Sequence, residues 1–436
     1  MAAKFDLKTP EAIRDPAPIF AHMLQEQPVH YSPSLKGWVI ADYDNVKLAL
    51  SDPRFSVEKM SPFAEHMASG VDARKIQELT RILGGWMVFK DPPAHSRLRQ
   101  VLQQPFKPRE MEKLRPAIIK IAEDVTAEMA PIAGGEGVDF IAAFANPLPA
   151  RVIATLIGVE ISMVPQLMVW SSHIAKFIFS ARATPDKYDR AYTALTEIEV
   201  FYRQVIADHR ANPTGDMLSQ MIAFDSAGDP LTDDEVVSIL VLFLFAGHET
   251  TANLIANGML ALLQNPGQMA RLRDDFSLLP SAVEEVLRFQ GPVQTVVRIA
   301  KEDIKMAEET IRAGERVFAL VAASHRDQLM FDNAHDVDIT RRNNPHVAFG
   351  FGIHMCIGAP LARIEGQEAF RTLLTHFDDF RLEATELSWC DDFVTRGLET
   401  LPLRFQLRTS VATPKPKFRN AWDFQSLEER YIELRK

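Results

Sequence analysis

Apolar residues recur at helical spacing along most of this chain, from about residue 109 to residue 376. Three short runs rich in β-branched and aromatic residues lack this spacing and predict strands: Trp38-Val39-Ile40, Val317-Phe318-Ala319-Leu320 and Pro402-Leu403-Arg404-Phe405. Neither an internal repeat nor a linker divides residues 1–406. The pattern therefore predicts a mainly α protein with one domain over residues 1–406 and a small β-rich part near both ends.

The longest predicted helix begins at Thr232-Asp233-Asp234-Glu235, a capping box with an acidic first turn. It continues to Gln264, because Asn265-Pro266-Gly267 predicts its end. At about 1.5 Å per residue, roughly 32 residues span about 48 Å, which is enough to cross the domain. Since residues 236–245 are apolar on nearly every side, we expect this section to be buried.

Polar residues interrupt the same helix at Ala246-Gly247-His248-Glu249-Thr250-Thr251. An acid and two hydroxyls are costly in an apolar helix unless other groups use them. One interpretation is a helix kink, in which Gly247 weakens the helix and the Thr250 hydroxyl bonds back to a carbonyl of its own helix. The alternative is a functional site built on the polar residues.

The loop Phe349-Gly350-Phe351-Gly352-Ile353-His354-Met355-Cys356-Ile357-Gly358 places a cysteine between glycines. Gly352 and Gly358 can adopt backbone angles closed to other residues, which lets amide groups turn toward the Cys356 sulfur. The helix predicted after Gly358 directs its positive end at the same atom, which favours a lowered thiol pKa. A lone cysteine is more often a buried structural thiol, but this setting favours a metal-binding thiolate.

The composition is typical of a soluble globular protein with a large core, since 47% of the 436 residues are hydrophobic and 24% are charged. Two cysteines, Cys356 and Cys390, make no disulfide framework and suit a reducing compartment. The N-terminus lacks the apolar core of a secretory signal, and the most apolar run, Val236 to Gly247, is too short to span a membrane. We therefore expect a cytoplasmic protein without a membrane span.

The formal net charge of -10 argues against nucleic-acid binding. The segment from Phe106 to Lys120 has the opposite balance, with five cations and two acids: Lys107, Arg109, Lys113, Arg115 and Lys120 against Glu110 and Glu112. This basic segment is either a solvated helix face or a docking site for an acidic partner.

The pattern Phe-x-x-Gly-x-His-x-Cys-x-Gly in the cysteine loop resembles the heme-ligand loop of the cytochrome P-450 superfamily, in its soluble bacterial form. The resemblance covers about residues 15–406, with the family's motifs in order, and implies the single-domain cytochrome P-450 fold. It also implies heme b as the cofactor and Cys356 as the ligand of its iron, with Phe349, Gly352 and Gly358 around that ligand.

The polar segment of the long helix resembles the oxygen-binding segment of this family. The resemblance implies that Ala246 and Gly247 leave room for dioxygen, that Thr250 holds its protons, and that Glu249 relays protons from solvent. His248 is expected to pack on the outer side of the helix.

Two further motifs are weak in isolation and gain meaning from the resemblance. Glu285 and Arg288 lie three positions apart, which alone would suggest a surface ion pair. They match the family's Glu-x-x-Arg motif, which implies a buried salt bridge behind the heme loop. The resemblance also assigns four basic residues to the two heme propionates: His95, Arg99, Arg298 and His354.

The resemblance, aligned by the order of the motifs, also implies which segments line the substrate pocket. They are apolar and aromatic, and they contain Trp86, Val88, Phe89, Phe177, Phe179, Leu242, Phe243, Ala246, Val293, Gln294, Thr295, Val297, Phe393 and Val394. Gln294 and Thr295 are the main polar groups among them, and no arginine or lysine is placed there to bind a carboxylate. We expect a small to medium hydrophobic or aromatic substrate.

The leading hypothesis is a monooxygenase that hydroxylates, O-dealkylates or epoxidises such a substrate. It would use O2 and electrons from a ferredoxin- or flavodoxin-type partner docked on the basic segment. The alternatives are a peroxide-driven peroxygenase and a non-catalytic heme-thiolate sensor. The pair Glu249 and Thr250 argues against both, because it serves dioxygen activation.

Residues 407–436 extend beyond the usual end of this fold. Thr413-Pro414-Lys415-Pro416-Lys417 predicts an extended linker, and Ser426 opens a short amphipathic helix. This C-terminal extension either docks on the domain or a neighbouring chain, or forms a disordered end.

Overall fold

A computed structural model describes residues 5–58, 72–179, 186–226 and 229–409. The side chains of Phe179, Asp225 and Ser226 lie outside the description. The predicted C-terminal extension also lies outside it, apart from residues 407–409. The proposed roles of that extension and of the Phe179 side chain therefore stay predictions.

The described part is mostly helical with small sheets, as the apolar spacing predicts. The helices are α1 Pro10–Arg14, α2 Ala17–Glu26, α3 Tyr43–Ser51, α4 Ala73–Gly84, α5 Ala94–Gln103, α6 Pro108–Glu112, α7 Arg115–Met129, α8 Pro147–Leu156, α9 Val164–Phe179, α10 Lys187–Ala211, α11 Met217–Ile222, α12 Asp233–Gln264, α13 Pro266–Asp274, α14 Leu279–Gln290, α15 Val321–Ser324 and α16 Ala359–His376. The strands are β1 Val29–Ser32, β2 Gly37–Ile40, β3 Phe55–Ser56, β4 Val138–Asp139, β5 Asp225–Ser226, β6 Asp229–Pro230, β7 Thr295–Ala300, β8 Ile304–Met306, β9 Glu309–Ile311, β10 Arg316–Leu320, β11 Phe377–Leu382 and β12 Pro402–Leu407. The three predicted strands are confirmed as β2, β10 and β12.

The long helix α12 begins where the capping box predicts. The Thr232 hydroxyl accepts the Glu235 N–H, and the Glu235 carboxylate accepts the Thr232 N–H. Residues 236–245 are buried as predicted, because α12 packs against α8, α9, α14 and α16. His248 is also buried, with its Nδ1 atom 3.3 Å from the Ser171 hydroxyl of α9. His248 therefore packs against α9 in the core of the domain.

Two sheets hold the ends of the chain to the helical part. A five-stranded sheet in the order β1-β2-β10-β7-β3 joins N-terminal strands to strands that follow α14. In this sheet β10 runs parallel to β2 and antiparallel to β7, where Val317 lies opposite Arg298. A three-stranded sheet in the order β11-β12-β4 joins the C-terminal strands to Asp139. The first sheet thereby positions Arg298, one of the predicted propionate ligands.

Helix α12 is long and apolar enough to cross a membrane by length and composition alone. Inside the domain, however, 78% of its most apolar window is buried by other helices. Its apolar character is therefore explained by its position in the core.

Candidate functional site

A cavity of about 1350 Å³ lies between α12, α5, β7 and the cysteine loop. Cys356 and Thr250 both line this cavity, as do side chains from the substrate-pocket segments. Residues separated by more than 250 positions in the sequence therefore meet in one interior space. We call it the central cavity.

The cysteine loop turns tightly around Cys356. The Cys356 N–H donates to the Phe349 carbonyl over 2.8 Å. Gly350 and Gly352 have φ angles of 75° and 74°, which favour glycine, whereas the φ of -79° at Gly358 suits any residue. The prediction of a backbone angle closed to other residues is thus confirmed at Gly352 and wrong at Gly358.

The two predicted glycines leave space for different neighbours. A Cβ atom at Gly352 would lie 3.0 Å from the Ser51 Cα of α3, and Gly352 does not border the central cavity. A Cβ atom at Gly358 would lie 3.8 Å from the Cys356 sulfur, on the cavity side. Gly352 therefore lets the loop pack on α3, while Gly358 borders the cavity beside the sulfur, where a Cβ atom would make an ordinary van der Waals contact.

The Cys356 thiol is open to the central cavity and otherwise enclosed by protein. Burial raises its pKa, while hydrogen bonds from the Gly358 and Ala359 amides and the charge of Arg99 act in the opposite direction. The predicted amide donors are therefore present, but the expected net lowering of the thiol pKa is wrong for the protein alone. A cation bound to the sulfur would supply the missing stabilisation of the thiolate.

Four basic side chains converge on the same cavity: His95, Arg99, Arg298 and His354. The rings of His95 and His354 lie 4.1 Å apart, and neither ring nitrogen of His95 has a hydrogen-bond partner within the described residues. Burial lowers the pKa of all four groups, to about 10 for Arg298 and about 4 for His354. Such a cluster is unfavourable without counter-charges, so it fits a cofactor that carries two carboxylates.

Helix α12 presents Thr250 and Ala246 to the cavity. The Thr250 hydroxyl donates to the Ala246 carbonyl over 2.6 Å, which is the back-bond of the kink interpretation. Ala246 is exposed to the cavity although the surrounding helix is buried. Ala246 and Gly247 differ in role, because the space beside Gly247 is filled by the Ile153 side chain of α8. Gly247 thus allows the close approach of α8, in addition to bordering the cavity.

Glu249 lies away from the central cavity. Its carboxylate is 4.0 Å from the His248 Nδ1 atom, and its side chain is 16% exposed. The structure therefore does not bring Glu249 and Thr250 together on the cavity wall. Glu249 precedes Thr250 by one residue, which turns its side chain about 100° around the α-helix and away from the cavity.

Glu285 and Arg288 form a salt bridge with both side chains fully buried. Two hydrogen bonds of 2.7 and 2.9 Å join them, and Arg341 adds a third to the same carboxylate at 3.0 Å. The Arg288 guanidinium also donates to the carbonyls of His325, Ala334 and Asp336. A surface ion pair is thereby excluded.

Most of the predicted substrate-pocket residues line the central cavity: Trp86, Val88, Phe89, Leu242, Phe243, Ala246, Val293, Thr295, Val297, Phe393 and Val394. Gln294 does not, and borders instead a small cavity beside Ala12 and Pro16. Neighbouring residues of an extended chain point to opposite sides, which explains the difference from Val293. The Thr295 hydroxyl donates to the Phe393 carbonyl over 2.9 Å, so it is already used.

Sequence reasoning missed two cavity residues at the start of α10, Tyr188 and Lys187, beside the predicted Phe177 of α9. Phe177 and Tyr188 meet edge to face at 5.8 Å, and burial lowers the pKa of the Lys187 ammonium. No motif marks these positions, because they reach the cavity only through the packing of α9 on α10. The pocket therefore contains a cation that the motifs did not indicate.

The basic segment is partly neutralised. Lys113 pairs with Glu110 at 2.5 Å, Lys120 pairs with Asp124 at 2.7 Å, and Arg115 contacts Glu112 and the buried Glu368. Within the described residues, the exposed Lys107 and Arg109 form no ion pair. Two of the five predicted cations therefore remain available at this surface.

Comparisons with known proteins agree with this geometry. The family model described as "Cytochrome P450" matches residues 64–393. Cytochrome P450 107B1 of Saccharopolyspora erythraea is 38% identical over 87% of this chain and 93% of its own length. Cytochrome P450 monooxygenase PikC of Streptomyces venezuelae is 36% identical over 90% of this chain and 91% of its own.

The solved structures lead to the same family. P450BioI in complex with hexadec-9Z-enoic acid ligated acyl carrier protein superposes with a TM-score of 0.82 and 32% identity, covering 91% of this chain and 99% of that chain. The family model, these relatives and the shared fold agree over most of the length. The chain belongs to the cytochrome P450 family of heme-thiolate monooxygenases.

Proposed function

We propose that this chain is a cytoplasmic monooxygenase that binds heme b and hydroxylates, O-dealkylates or epoxidises a hydrophobic or aromatic substrate, with a ferredoxin- or flavodoxin-type electron donor. One observation carries the proposal: Cys356, Thr250 and the four basic side chains open onto one cavity, whose lining is otherwise mostly apolar. The heme would supply the iron that activates dioxygen, and its thiolate ligand favours O–O cleavage. The domain would be residues 1–406, followed by the C-terminal extension.

The residues at the cavity floor would hold the cofactor. Cys356 would bind the iron, while Phe349 and Gly358 border the space beside the sulfur. His95, Arg99, Arg298 and His354 would bind the propionates, which would relieve the unfavourable burial of four basic groups. Gly352 would act indirectly, by packing the loop on α3.

Thr250 would control protons on the opposite side of the cavity. Its hydroxyl can keep the bond to the Ala246 carbonyl as donor and still accept a hydrogen bond from a proton donor in the cavity. Ala246 has the small side chain that leaves room there. Glu249 would relay protons from solvent by changing its rotamer, since its carboxylate lies away from the cavity wall beside His248.

Replacing Thr250 with alanine is expected to preserve substrate binding and to divert electrons from product to hydrogen peroxide. Because a positioned proton-handling group contributes about 10²–10⁴-fold to catalysis, product formed per electron should fall about tenfold or more. The measurement compares electrons consumed, product and peroxide in a partner-supported assay with O2.

Thr80→Ala is the matched control for this experiment. The Thr80 hydroxyl makes the same back-bond, 2.7 Å to the Ile76 carbonyl of α4, away from the central cavity. The product formed per electron consumed should be the same in Thr80→Ala as in the unmodified protein. Tight coupling in Thr250→Ala would contradict the role proposed for Thr250, and equal turnover with peroxide alone would favour a peroxygenase.

The substrate pocket should accept neutral apolar ligands and should bind their carboxylate analogues more tightly through Lys187. Replacing Lys187 with methionine keeps the length of the side chain and removes the charge. A hydrogen bond to a charged group contributes about 1.5–3 kcal/mol, so we expect about a tenfold or greater loss for the carboxylate and little change for the matched alcohol. Spin-state titration of both ligands measures this ratio, and an unchanged ratio would exclude Lys187 as the anion-binding residue.

The proposed electron donor would dock beside the cysteine loop on the side of α6 and α7. Lys107 and Arg109 are the exposed cations that would meet its acidic surface. Lys113, Arg115 and Lys120 already have carboxylate partners, so they would contribute less.

A further inference from the structure

A cluster of charged and aromatic side chains lies directly behind the cysteine loop, outside the lining of the central cavity. Its centre is Glu284 of α14, which precedes the buried Glu285. The Glu284 carboxylate accepts two hydrogen bonds from Arg363 of α16, at 2.6 and 2.8 Å, and one from the His346 Nε2–H at 3.0 Å. These contacts hold the pKa of Glu284 at about 2, against the effect of burial, so it is a carboxylate at neutral pH.

The same cluster holds the backbone that leads into the loop. The His346 Nδ1 atom accepts the Ala348 N–H at 3.3 Å. The His325 Nε2 atom accepts the Val347 N–H at 2.9 Å, while its Nδ1–H donates to the Arg288 carbonyl at 3.1 Å. These partners assign both tautomers. Two consecutive amides before Phe349 are thus fixed by imidazoles attached to α14.

Arg363 connects the cluster to the cysteine itself. Its guanidinium lies 4.6 Å above the centre of the Phe349 ring, a cation–π contact. The Phe349 carbonyl in turn accepts the Cys356 N–H. The charge of Arg363 also acts on the Cys356 thiol, in the direction that favours the thiolate. Arg363 therefore influences the sulfur both through packing and through its field.

We propose that Glu284 and Arg363 form a charge-balanced pair that positions the cysteine loop and sets the electrostatic potential at the Cys356 sulfur. Both are positioning residues, since neither borders the cavity. The inference rests on the proposed function, because it concerns Cys356 as a heme ligand. Outer partners of a metal ligand tune the reduction potential of the metal, and this pair would be such an outer partner.

The physical reason is the opposite sign of the two charges beside a weakly screened site. With Glu284 neutral, the positive charge of Arg363 is uncompensated and favours the reduced, more negative state of the cofactor. With Arg363 neutral, the negative charge of Glu284 favours the oxidised state. If the pair acted through packing alone, the two substitutions would not shift the midpoint potential in opposite directions, since removing either partner would perturb the loop in a similar way.

The test is the midpoint potential of the heme-loaded protein by dye-mediated titration. Glu284→Gln should shift the potential in the positive direction, Arg363→Gln in the negative direction, and the double variant should return close to the unmodified value. Glu368→Gln is the matched control. Glu368 lies on the same helix as Arg363, is 2% exposed and pairs with Arg115 and Arg371. Because Glu368 does not contact the cysteine loop, the midpoint potential of the heme should be unchanged in Glu368→Gln.

Three results would overturn the inference: shifts of the same sign in both single variants, no shift in either, or a double variant as perturbed as the worse single variant. If a single variant loses heme, the charge-retaining Glu284→Asp and Arg363→Lys and the double glutamine variant decide. If these three variants keep heme and their midpoint potential is unshifted, the result supports the charge-balanced pair. Loss of heme in the double glutamine variant contradicts it. The reduced, CO-saturated spectrum of the unmodified protein separates the two proposals, because a missing thiolate band there means that the proposed function has failed.

Discussion

Replacing Cys356 with serine is expected to abolish the red-shifted Soret band of the reduced, CO-saturated protein and with it the monooxygenase activity. With heme bound, a Cys356 thiolate would push electron density to the iron, which would favour both the red-shifted band and O–O cleavage. A serine hydroxyl is a much weaker donor and stays protonated near neutral pH. We expect activity to fall by well over the 10–100-fold that is typical for loss of an outer partner of a metal ligand.

Cys390→Ser is the control for this experiment. Cys390 is the other cysteine of the chain and does not border the central cavity. Its replacement should leave the spectrum unchanged. An unmodified protein with the band of a histidine-ligated heme, or an unchanged band in Cys356→Ser, would contradict the assignment of Cys356 as the ligand.

Replacing Arg288 with methionine is expected to destabilise the fold by about 3–5 kcal/mol, because it leaves the buried carboxylate of Glu285 without its main partner. Arg341 keeps one hydrogen bond of 3.0 Å to that carboxylate. The three carbonyls that accept from Arg288 would also lose a donor. The free energy of unfolding from urea titration and the heme content of the purified protein measure the effect.

The control is a pair with the same spacing at the surface. Lys113 and Glu110 are also three residues apart, with side chains 64% and 41% exposed. Lys113→Met should cost less than about 1 kcal/mol, since exposed ion pairs contribute little. If Arg288→Met also lowered the free energy of unfolding by less than about 1 kcal/mol, Glu285 would have to be protonated or solvated in the folded protein.

These two pairs show where sequence reasoning ends. Glu110 and Lys113, like Glu285 and Arg288, are an acid followed three residues later by a cation, and nothing in the spacing separates them. The buried Glu285 carboxylate accepts hydrogen bonds from the Arg341 guanidinium and the Asp338 N–H, both more than 50 positions away in the sequence. Only the order of motifs along the whole chain predicted the difference.

Predictions of which way a single side chain points from its helix or strand were wrong at several positions. The polar segment of α12 was predicted as a unit, yet Thr250 borders the cavity and Glu249 lies beside His248. Gln294 was predicted in the pocket with its neighbours and points to the other side of the chain. Lys187 was not predicted at all, because α10 reaches the cavity only after α9 has packed against it.

The sequence by itself determined the features that depend on local chemistry. These are the capped start and the end of α12, its apolar and buried section, the strands β2, β10 and β12, and the cysteine loop with its left-handed Gly352. Such features follow from hydrogen bonding, periodicity and backbone sterics within a few residues. The tertiary structure alone decided which polar groups share the central cavity and how Glu284, Arg363 and the two histidines meet behind the loop. The burial of individual polar side chains and the choice of their partners depend on segments distant in sequence, which local patterns do not specify.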